Sequence, residues 1–310
     1  MDGPNSSRKP VILITGASGF TGSHACRYFA EQGMQVAAVV RNSPTEAAPE
    51  GIRYYECDLL DKTKLGRIIQ TVAPDFALHL GGKNSVPESW VRPLLYLETN
   101  LLTTIYLLDS LRPFPCCRIV IAGSMLASPL TAPFQSSHPY NLSKSLQKAA
   151  ALSWAGLFGQ NVILAEPSNL IGPGPSTGFC TLLARHIAAC EFEGKTETFK
   201  VSSRMARRNF LDVRDAIKAY DLLLKKGTPG QAFKIGSGTS HTLEEIVAAM
   251  MSIAGSMAPI EWGKEEGGFA PLAVQPFEPL AALGWKPEIP LETSLQDVLE
   301  YCRLQKGGRT

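Results

Sequence analysis

Val11-Ile-Leu-Ile-Thr15-Gly16-Ala-Ser18-Gly19-Phe20-Thr21-Gly22 is the stretch whose reading decides the fold. Val11 to Thr15 is a short, β-rich apolar run, and glycines follow it at once. A helical pattern from about Ser23 to Gln32 then ends at Gly33, as at a C-cap. A second apolar run, Gln35 to Val40, stops at Arg41 and Asn42, and this strand, helix, strand unit reads naturally as part of a parallel sheet. A glycine cluster alone is as often a plain turn. Between a strand and a helix of these lengths, however, it lets the backbone approach a pyrophosphate held at the helix N-terminus. Gly16, Ser18, Gly19, Phe20, Thr21 and Gly22 are therefore candidate dinucleotide contacts, with glycines spaced GxxGxxG, one residue wider than the usual GxGxxG.

Strand candidates continue at Ile52 to Tyr55, Phe76 to Leu80, Arg118 to Ala122 and Val162 to Glu166, with helical patterns between them near 61–72, 92–112 and 140–158. This alternation predicts an α/β chain with a doubly wound parallel sheet of the Rossmann type. After Pro167 the pattern changes: a Gly- and Pro-rich stretch precedes helical patterns at Phe179 to Phe192, Asn209 to Lys226, Thr242 to Ala254 and Leu291 to Leu304, and Ala232 to Ile235 reads as a returning strand. The expected organisation is a dinucleotide-binding domain at 11–166 with a return near 209–236. Residues 167–208 and 237–310 form a smaller α/β C-terminal substrate lobe, and 1–10 a flexible leader.

At 45% hydrophobic and 19% charged, the chain is too apolar for a disordered protein. Thirty Lys+Arg against 28 Asp+Glu leave +2, too little for an electrostatic footprint on nucleic acid or an anionic membrane, so neither partner is expected. Seven scattered cysteines, odd in number and without CxxC, suggest neither a disulfide framework nor zinc, and point to a reducing cytoplasm. No apolar run reaches transmembrane length. His24, His138, His186 and His241 match no metal spacing, so no metal is expected; Trp90, Trp154, Trp262 and Trp285 read as packing residues.

Four places carry candidate chemistry. Arg41 and Asn42 end the second strand, where an acid normally meets the adenosine ribose of NAD; an arginine there suits a 2′-phosphate, unless it is simply a solvated surface residue. Asp58 and Leu59, after the third strand, are placed to meet an adenine, though an Asp there is also an ordinary turn former. Tyr140 and Lys144 lie four residues apart, on one helix face, where a cation stabilises a phenolate for acid–base work. Ser124 ends a strand at the sheet edge where ligands bind, or else caps a turn.

With its glycine motif, strand-end Ser124 and Tyr140/Lys144, the sequence resembles the extended short-chain dehydrogenase/reductases, the NAD-dependent epimerase/dehydratase family, which modify nucleotide-activated sugars. Further matches are His79-Leu80-Gly81-Gly82-Lys83-Asn-Ser85-Val86, Asn100, Asn169-Leu-Ile-Gly-Pro-Gly174, Arg208-Asn-Phe-Leu-Asp-Val-Arg-Asp215 and Gly284-Trp-Lys-Pro287. Gly172 through Arg214 and Ser85 to Trp90 are most similar to the GDP-6-deoxy-4-keto-D-mannose reductases within it. The resemblance implies that Ser124 binds the sugar oxygen, Tyr140 exchanges its proton, and Lys144 holds the nicotinamide ribose and lowers the Tyr140 pKa. It further implies that Leu80, Gly81, Gly82, Lys83, Asn100 and Pro167 line the cofactor, while Ser85, Asn169 and Arg208 hold the substrate. On charge pattern alone, Arg208 is equally one more exposed base beside Arg204 and Arg207.

Departures from the family accompany the matches. Met125-Leu-Ala-Ser-Pro129 replaces a segment that usually ends Tyr-Gly, the loop from Ser124 to Tyr140 is short, Glu166 stands where an arginine is usual, and Phe269-Ala-Pro271 lacks an arginine. The expected activity is NADP-dependent reduction of a 4-keto nucleotide sugar, a GDP-4-keto-6-deoxyhexose, by a homodimer. The alternatives are a 4-epimerase using bound NAD, and an inactive NADP-binding regulatory protein. No 4,6-dehydration is expected, since Met125 and Leu126 stand where relatives that dehydrate carry acids.

Overall fold

The computed structural model describes residues 8–44, 47–128, 135–194, 197–263 and 277–307. The chain divides into two units: the first runs to Glu166 and resumes over Ala219–Phe233, and the second comprises Pro167–Lys218 and the chain from Lys234. Of the expected leader, residues 1–7 lie outside the described residues, and Arg8 pairs with Asp75 at 2.7 Å.

In chain order the elements are β1 (Val11–Thr15), α1 (Phe20–Glu31), β2 (Gln35–Val40), β3 (Ile52–Glu56), α2 (Lys62–Val72), β4 (Phe76–His79), α3 (Val86–Val91), α4 (Pro93–Leu97), a π-helical turn (Glu98–Leu102), α5 (Thr103–Leu111), β5 (Arg118–Ala122), α6 (Pro139–Phe158) and β6 (Asn161–Pro167). There follow β7 (Asn169–Ile171), α7 (Phe179–Glu193), β8 (Phe199–Val201), β9 (Arg207–Asp212), α8 (Val213–Lys226), β10 (Ala232–Ile235), β11 (Ser240–Thr242), α9 (Leu243–Ala254), β12 (Ile260–Trp262), α10 (Glu278–Ala281) and α11 (Leu291–Gly307).

The main sheet has the order β10-β6-β5-β4-β1-β2-β3, with parallel pairing from β6 through to β3. All five residues of β1 are buried, as expected for a parallel strand covered on both faces. Chain order reverses between β1 and β4, so the carboxyl ends of these strands open the crevice where such sheets bind ligands. One face packs Leu13, Val39, Ile121 and Leu164 against Leu65 and Ile69 of α2, Leu107 and Leu108 of α5, and Ala151 of α6. In the second unit, β11-β9-β7 forms a small sheet, and Leu183, Ile187, Ile246, Met250, Leu295 and Val298 from α7, α9 and α11 share a separate core.

Four expectations need correction. Helix α1 starts at Phe20 rather than Ser23, because Gly19 in extended conformation already serves as its N-cap. The pattern at 92–112 is not one helix: Arg92 leaves helical geometry ahead of Pro93, and a π-helical turn then separates α4 from α5. Asn209 to Asp212 is strand rather than helix, since β9 hydrogen-bonds to β7 on one side and β11 on the other. Helix α8 begins only after it, where the Asp212 carboxylate accepts the Arg214 N–H at 2.8 Å. Among the tryptophans read as packing residues, Trp90 is instead 63% exposed.

In the second unit, the fully buried Asp215 ties α8 to the segment before α11. Its Oδ2 accepts the N–H groups of Glu288 and Ile289, each at 2.8 Å, and its main-chain oxygen accepts Trp285 Nε1 at 3.1 Å. Asp215→Ala strands both N–H donors, so a loss of about 3 kcal/mol is expected from two hydrogen bonds to a charged group. Urea denaturation followed by tryptophan fluorescence checks this, and an unchanged midpoint refutes it.

Candidate active site

The β1–α1 turn is built by exclusion of side chains. A Cβ on Gly22 would lie 2.1 Å from the Gly16 carbonyl oxygen, and one on Gly16, which has φ +68°, would lie 2.7 Å from the Gly81 nitrogen. The turn closes through Gly19 N–H donating to Gly16 O at 3.0 Å. No side chain caps α1 and its first turn carries no acid, so its N–H groups face an anion without a competing carboxylate. Ser18 and Gly19 are exposed, while Phe20 and Thr21 are half-buried beside them. This cradle fits a dinucleotide diphosphate.

Arg41 and Asn42 are exposed after β2, and Arg41 has no carboxylate partner among the described residues. Asp58 serves partly as a turn former, its Oδ1 accepting the Leu60 N–H at 3.0 Å. Leu59 covers Gly81 so closely that a Cβ there would meet its Cδ1 at 2.4 Å. Leu80 follows β4, its N–H donating to Thr15 O at 3.2 Å.

Beyond β5, the Ser124 hydroxyl accepts the Leu126 N–H at 3.1 Å and lies near the Tyr140 phenol. The Tyr140 pKa is raised by burial rather than lowered by Lys144 as expected, and the Ser124 hydroxyl opposes that rise. Lys144, buried on the same face of α6, donates to the Ala122 carbonyl at 3.0 Å and to Gln147 Oε1 at 2.8 Å, and burial pulls its pKa down to about 8. Its third N–H has no partner among the described residues. Asn100 is fully buried in the π-helical turn: its Oδ1 accepts the Lys83 N–H at 2.8 Å, and its Nδ2 donates to Lys83 O and to Ser143 Oγ. With its amide thus saturated, Asn100 shapes the Gly82–Lys83 backbone from beneath. A Cβ on Gly82 would lie 2.7 Å from Asn100 Oδ1 and 3.8 Å from Lys144 Nζ.

Other predicted residues are engaged locally. The Lys83 ammonium pairs with Glu88 at 2.8 Å, and the Ser85 hydroxyl caps α3 by accepting the Glu88 N–H. Glu88 also accepts the Tyr96 hydroxyl at 2.9 Å, and the Tyr96 ring meets Tyr140 edge-on. Glu166, almost fully buried, pairs with Lys148 at 2.8 Å, which accounts for an acid in the place of an arginine. Residues 129–134 of the short loop, and Phe269-Ala-Pro271, lie outside the described residues.

In the second unit Pro167 ends β6, and Asn169 Nδ2 donates to Asn209 O at 2.9 Å, from β7 to β9. The three neighbouring arginines separate by partner. Arg204 pairs with Glu244 and lies over the Trp262 ring, and Arg207 donates to the Ser240 carbonyl. Arg208 reaches only the Arg207 carbonyl, at 2.9 Å, and no carboxylate among the described residues. It is the guanidinium of the three left available to an anion.

Two residues beside the cluster were missed in the sequence. His138, singled out in the sequence only as matching no metal spacing, accepts the Asn141 N–H on Nδ1 as the N-cap of α6, and stacks on Tyr140 at 5.9 Å with planes 4° apart. Its place directly before Pro139, at the first helical position, was a legible cap signal. Gln147, to which the sequence pattern gave no role, is fully buried, and its spacing of three from Lys144 puts both on one face.

Among the described residues no group of three or more His, Cys, Asp or Glu could hold a metal ion, and no helix is long and apolar enough to cross a membrane. A GDP-6-deoxy-D-mannose reductase of Pseudomonas aeruginosa is 29% identical, over 93% of this chain and 95% of its own. A UDP-glucose 4-epimerase of Bacillus subtilis is 26% identical over the same shares. Among solved structures, RMD from Pseudomonas aeruginosa complexed with NADPH superposes with a TM-score of 0.77 at 26% identity, covering 96% of this chain and all of that one. The NAD complex of the Thermus thermophilus UDP-glucose 4-epimerase reaches a TM-score of 0.81 at 21% identity, over 94% and 99%. The profile of the NAD dependent epimerase/dehydratase family matches residues 12–236, from the second residue of β1 to just past β10, and to this family of extended short-chain dehydrogenase/reductase enzymes the chain belongs.

Proposed function

We propose that this enzyme reduces a 4-keto nucleotide sugar, a GDP-4-keto-6-deoxyhexose, with NADPH, in a reducing cytoplasm where its seven thiols stay free. The observation that carries the reading is Arg41, exposed and without a carboxylate partner among the described residues, at the end of β2, where a 2′-phosphate would meet it and an NAD-selecting acid is missing. The 29% identical reductase supports the substrate, and the NADPH-bound relative supports the cofactor. A 4-epimerase with tightly held NAD is the second reading, favoured by the UDP-glucose 4-epimerase relatives.

Gly16, Gly19 and Gly22 admit the cofactor diphosphate, Arg41 and Asn42 its adenosine end, and Lys144 the nicotinamide ribose through its third N–H. Bound there, the nicotinamide supplies the hydride. The chain supplies the proton. Tyr140, its pKa raised by burial, keeps the phenolic proton at neutral pH and can give it to the carbonyl oxygen that Ser124 holds. The phenolate left behind is stabilised by the Ser124 hydroxyl and the Lys144 ammonium. Asn169 and Arg208 hold the sugar nucleotide, Arg208 by gripping its diphosphate.

Dehydration falls outside this chemistry. Met125 and Leu126 carry no exchangeable proton, and Glu88 and Glu166 are each tied to a lysine. A separate dehydratase must then supply the keto sugar. Leu94, Leu101 and Ile105 with Leu142, Leu146 and Ala149 leave apolar side chains exposed or half-exposed along the helices beside the site, and a second copy covers them.

Tyr140→Phe is expected to keep cofactor affinity and lower kcat by about 10² to 10⁴-fold, the range for a lost general acid; near-normal kcat removes Tyr140 from the mechanism. Because the Lys144 pKa is lowered to about 8, the ammonium is present below that pH and lost above it, so the reduction rate falls as pH rises through about 8. A flat rate across that interval contradicts the role given to Lys144. Arg41→Ala is expected to weaken NADPH by about 1.5 to 3 kcal/mol, with little effect on NADH, as measured by titration calorimetry; equal losses for both rule out the 2′-phosphate contact. Light scattering at micromolar concentration is expected to give a dimer, and a monomer rejects the apolar interface.

A further inference from the structure

Behind Lys144 runs a chain of buried side chains to which the proposed reaction assigns no part. Gln147 Nε2 donates to Thr104 Oγ1 at 2.8 Å, Thr104 Oγ1 lies 3.0 Å from His79 Nε2, His79 Nδ1 lies 2.7 Å from Thr15 Oγ1, and the Gly81 N–H reaches Thr15 Oγ1 at 3.3 Å. Thr15, His79, Thr104 and Gln147 are all essentially inaccessible to solvent. They come from β1, β4, α5 and α6, so the chain crosses the first unit beneath the ends of β1 and β4.

Counting protons fixes its polarity. Thr104 lies 2.8 Å from the Asn100 carbonyl oxygen, to which its hydroxyl donates. Its oxygen then accepts from both Gln147 Nε2 and His79 Nε2. His79 is neutral, since burial and the nearby Lys144 charge lower its pKa to about 3. With the proton on Nε2, its Nδ1 accepts from the Thr15 hydroxyl, and every hydroxyl proton in the chain has an acceptor. The opposite tautomer would leave the buried Thr15 hydroxyl proton without one among the described residues. Thr104 thus offers Gln147 only lone pairs. Flipping the Gln147 amide would set oxygen against oxygen there and NH₂ against the ammonium, so its carbonyl must face Lys144.

We infer that Gln147 is a positioning residue, an acceptor oriented by Thr104, His79 and Thr15 that holds the Lys144 ammonium on the Ala122 carbonyl and directs its remaining N–H toward a ligand hydroxyl. This rests on the role proposed for Lys144 above. His79 from β4 and Tyr140 on α6 are the ionisable side chains of this cluster, and the charges of Lys83 and Lys148 are paired with Glu88 and Glu166. Lys144 therefore has a neutral amide, rather than a carboxylate, as its side-chain partner.

The test is the titration of Lys144 in the ligand-free protein, followed by NMR of ¹³Cε-labelled lysine and assigned with Lys144→Met. Gln147→Met, which removes the acceptor, is expected to lower the midpoint by about one unit, and Gln147→Glu, which adds a carboxylate, to raise it by about one unit. The alkaline limb of the kcat profile is expected to move with each, while the KM for the nucleotide sugar stays within about twofold. Midpoints unmoved in both variants overturn the inference. Should either variant fail to fold, ¹⁵N NMR of His79 in the unmodified protein decides: the Nε2–H tautomer supports the inference and the Nδ1–H tautomer overturns it. Shifted midpoints without turnover of any keto sugar would reject the proposed activity and leave the positioning role standing; unmoved midpoints with normal turnover would do the reverse.

Discussion

Gly16 lies against the Leu80–Gly81 peptide with no space for a Cβ of its own, and much of the first unit's geometry depends on that contact. It brings the ends of β1 and β4 together at the point where the sheet reverses its strand order. The Thr15 carbonyl receives the Leu80 N–H, and the Thr15 hydroxyl receives the Gly81 N–H. Were Gly16 to carry a side chain, the turn would have to lift away from β4, and the N–H groups of α1 would lose their aim. A diphosphate cradle and a buried polar chain thus share one close backbone contact.

The charges around the candidate site are distributed by the same economy of space. A lone ammonium in a dry core is costly, yet Lys144 is held there by one carbonyl and one amide, and the result is a lowered pKa rather than an ion pair. Carboxylates nearby are matched elsewhere: Glu88 with Lys83 and Tyr96, Glu166 with Lys148. A cation without a carboxylate partner, on the same helix face as a phenol with a raised pKa, suits proton delivery to an oxygen. In the second unit the same pairing logic neutralises Arg204, occupies Arg207 and leaves Arg208 for an anion.

The sequence by itself determined the central sheet and the placement of its motifs, because both are written in local periodicity. Runs such as Val11–Ile14 and Ile119–Ile121 are apolar throughout, since parallel strands are buried on both faces, and glycines at 16, 19 and 22 mark where backbone must touch backbone. Tyr140 and Lys144 could be placed on one helix face from their spacing alone. Tertiary structure decided what depends on partners far along the chain. Asn209 to Asp212 became strand because β7 and β11 supplied hydrogen bonds that no local pattern announces. The pattern at 92–112 broke into α4, a π-helical turn and α5, which brings Asn100 to the Lys83 backbone and to Ser143. Gln147 reads as polar and therefore outward until Thr104 and Lys144 are seen to enclose it. Whether a buried amide is a defect or an oriented acceptor depends on which atoms face it, and only the packed chain brings those atoms together.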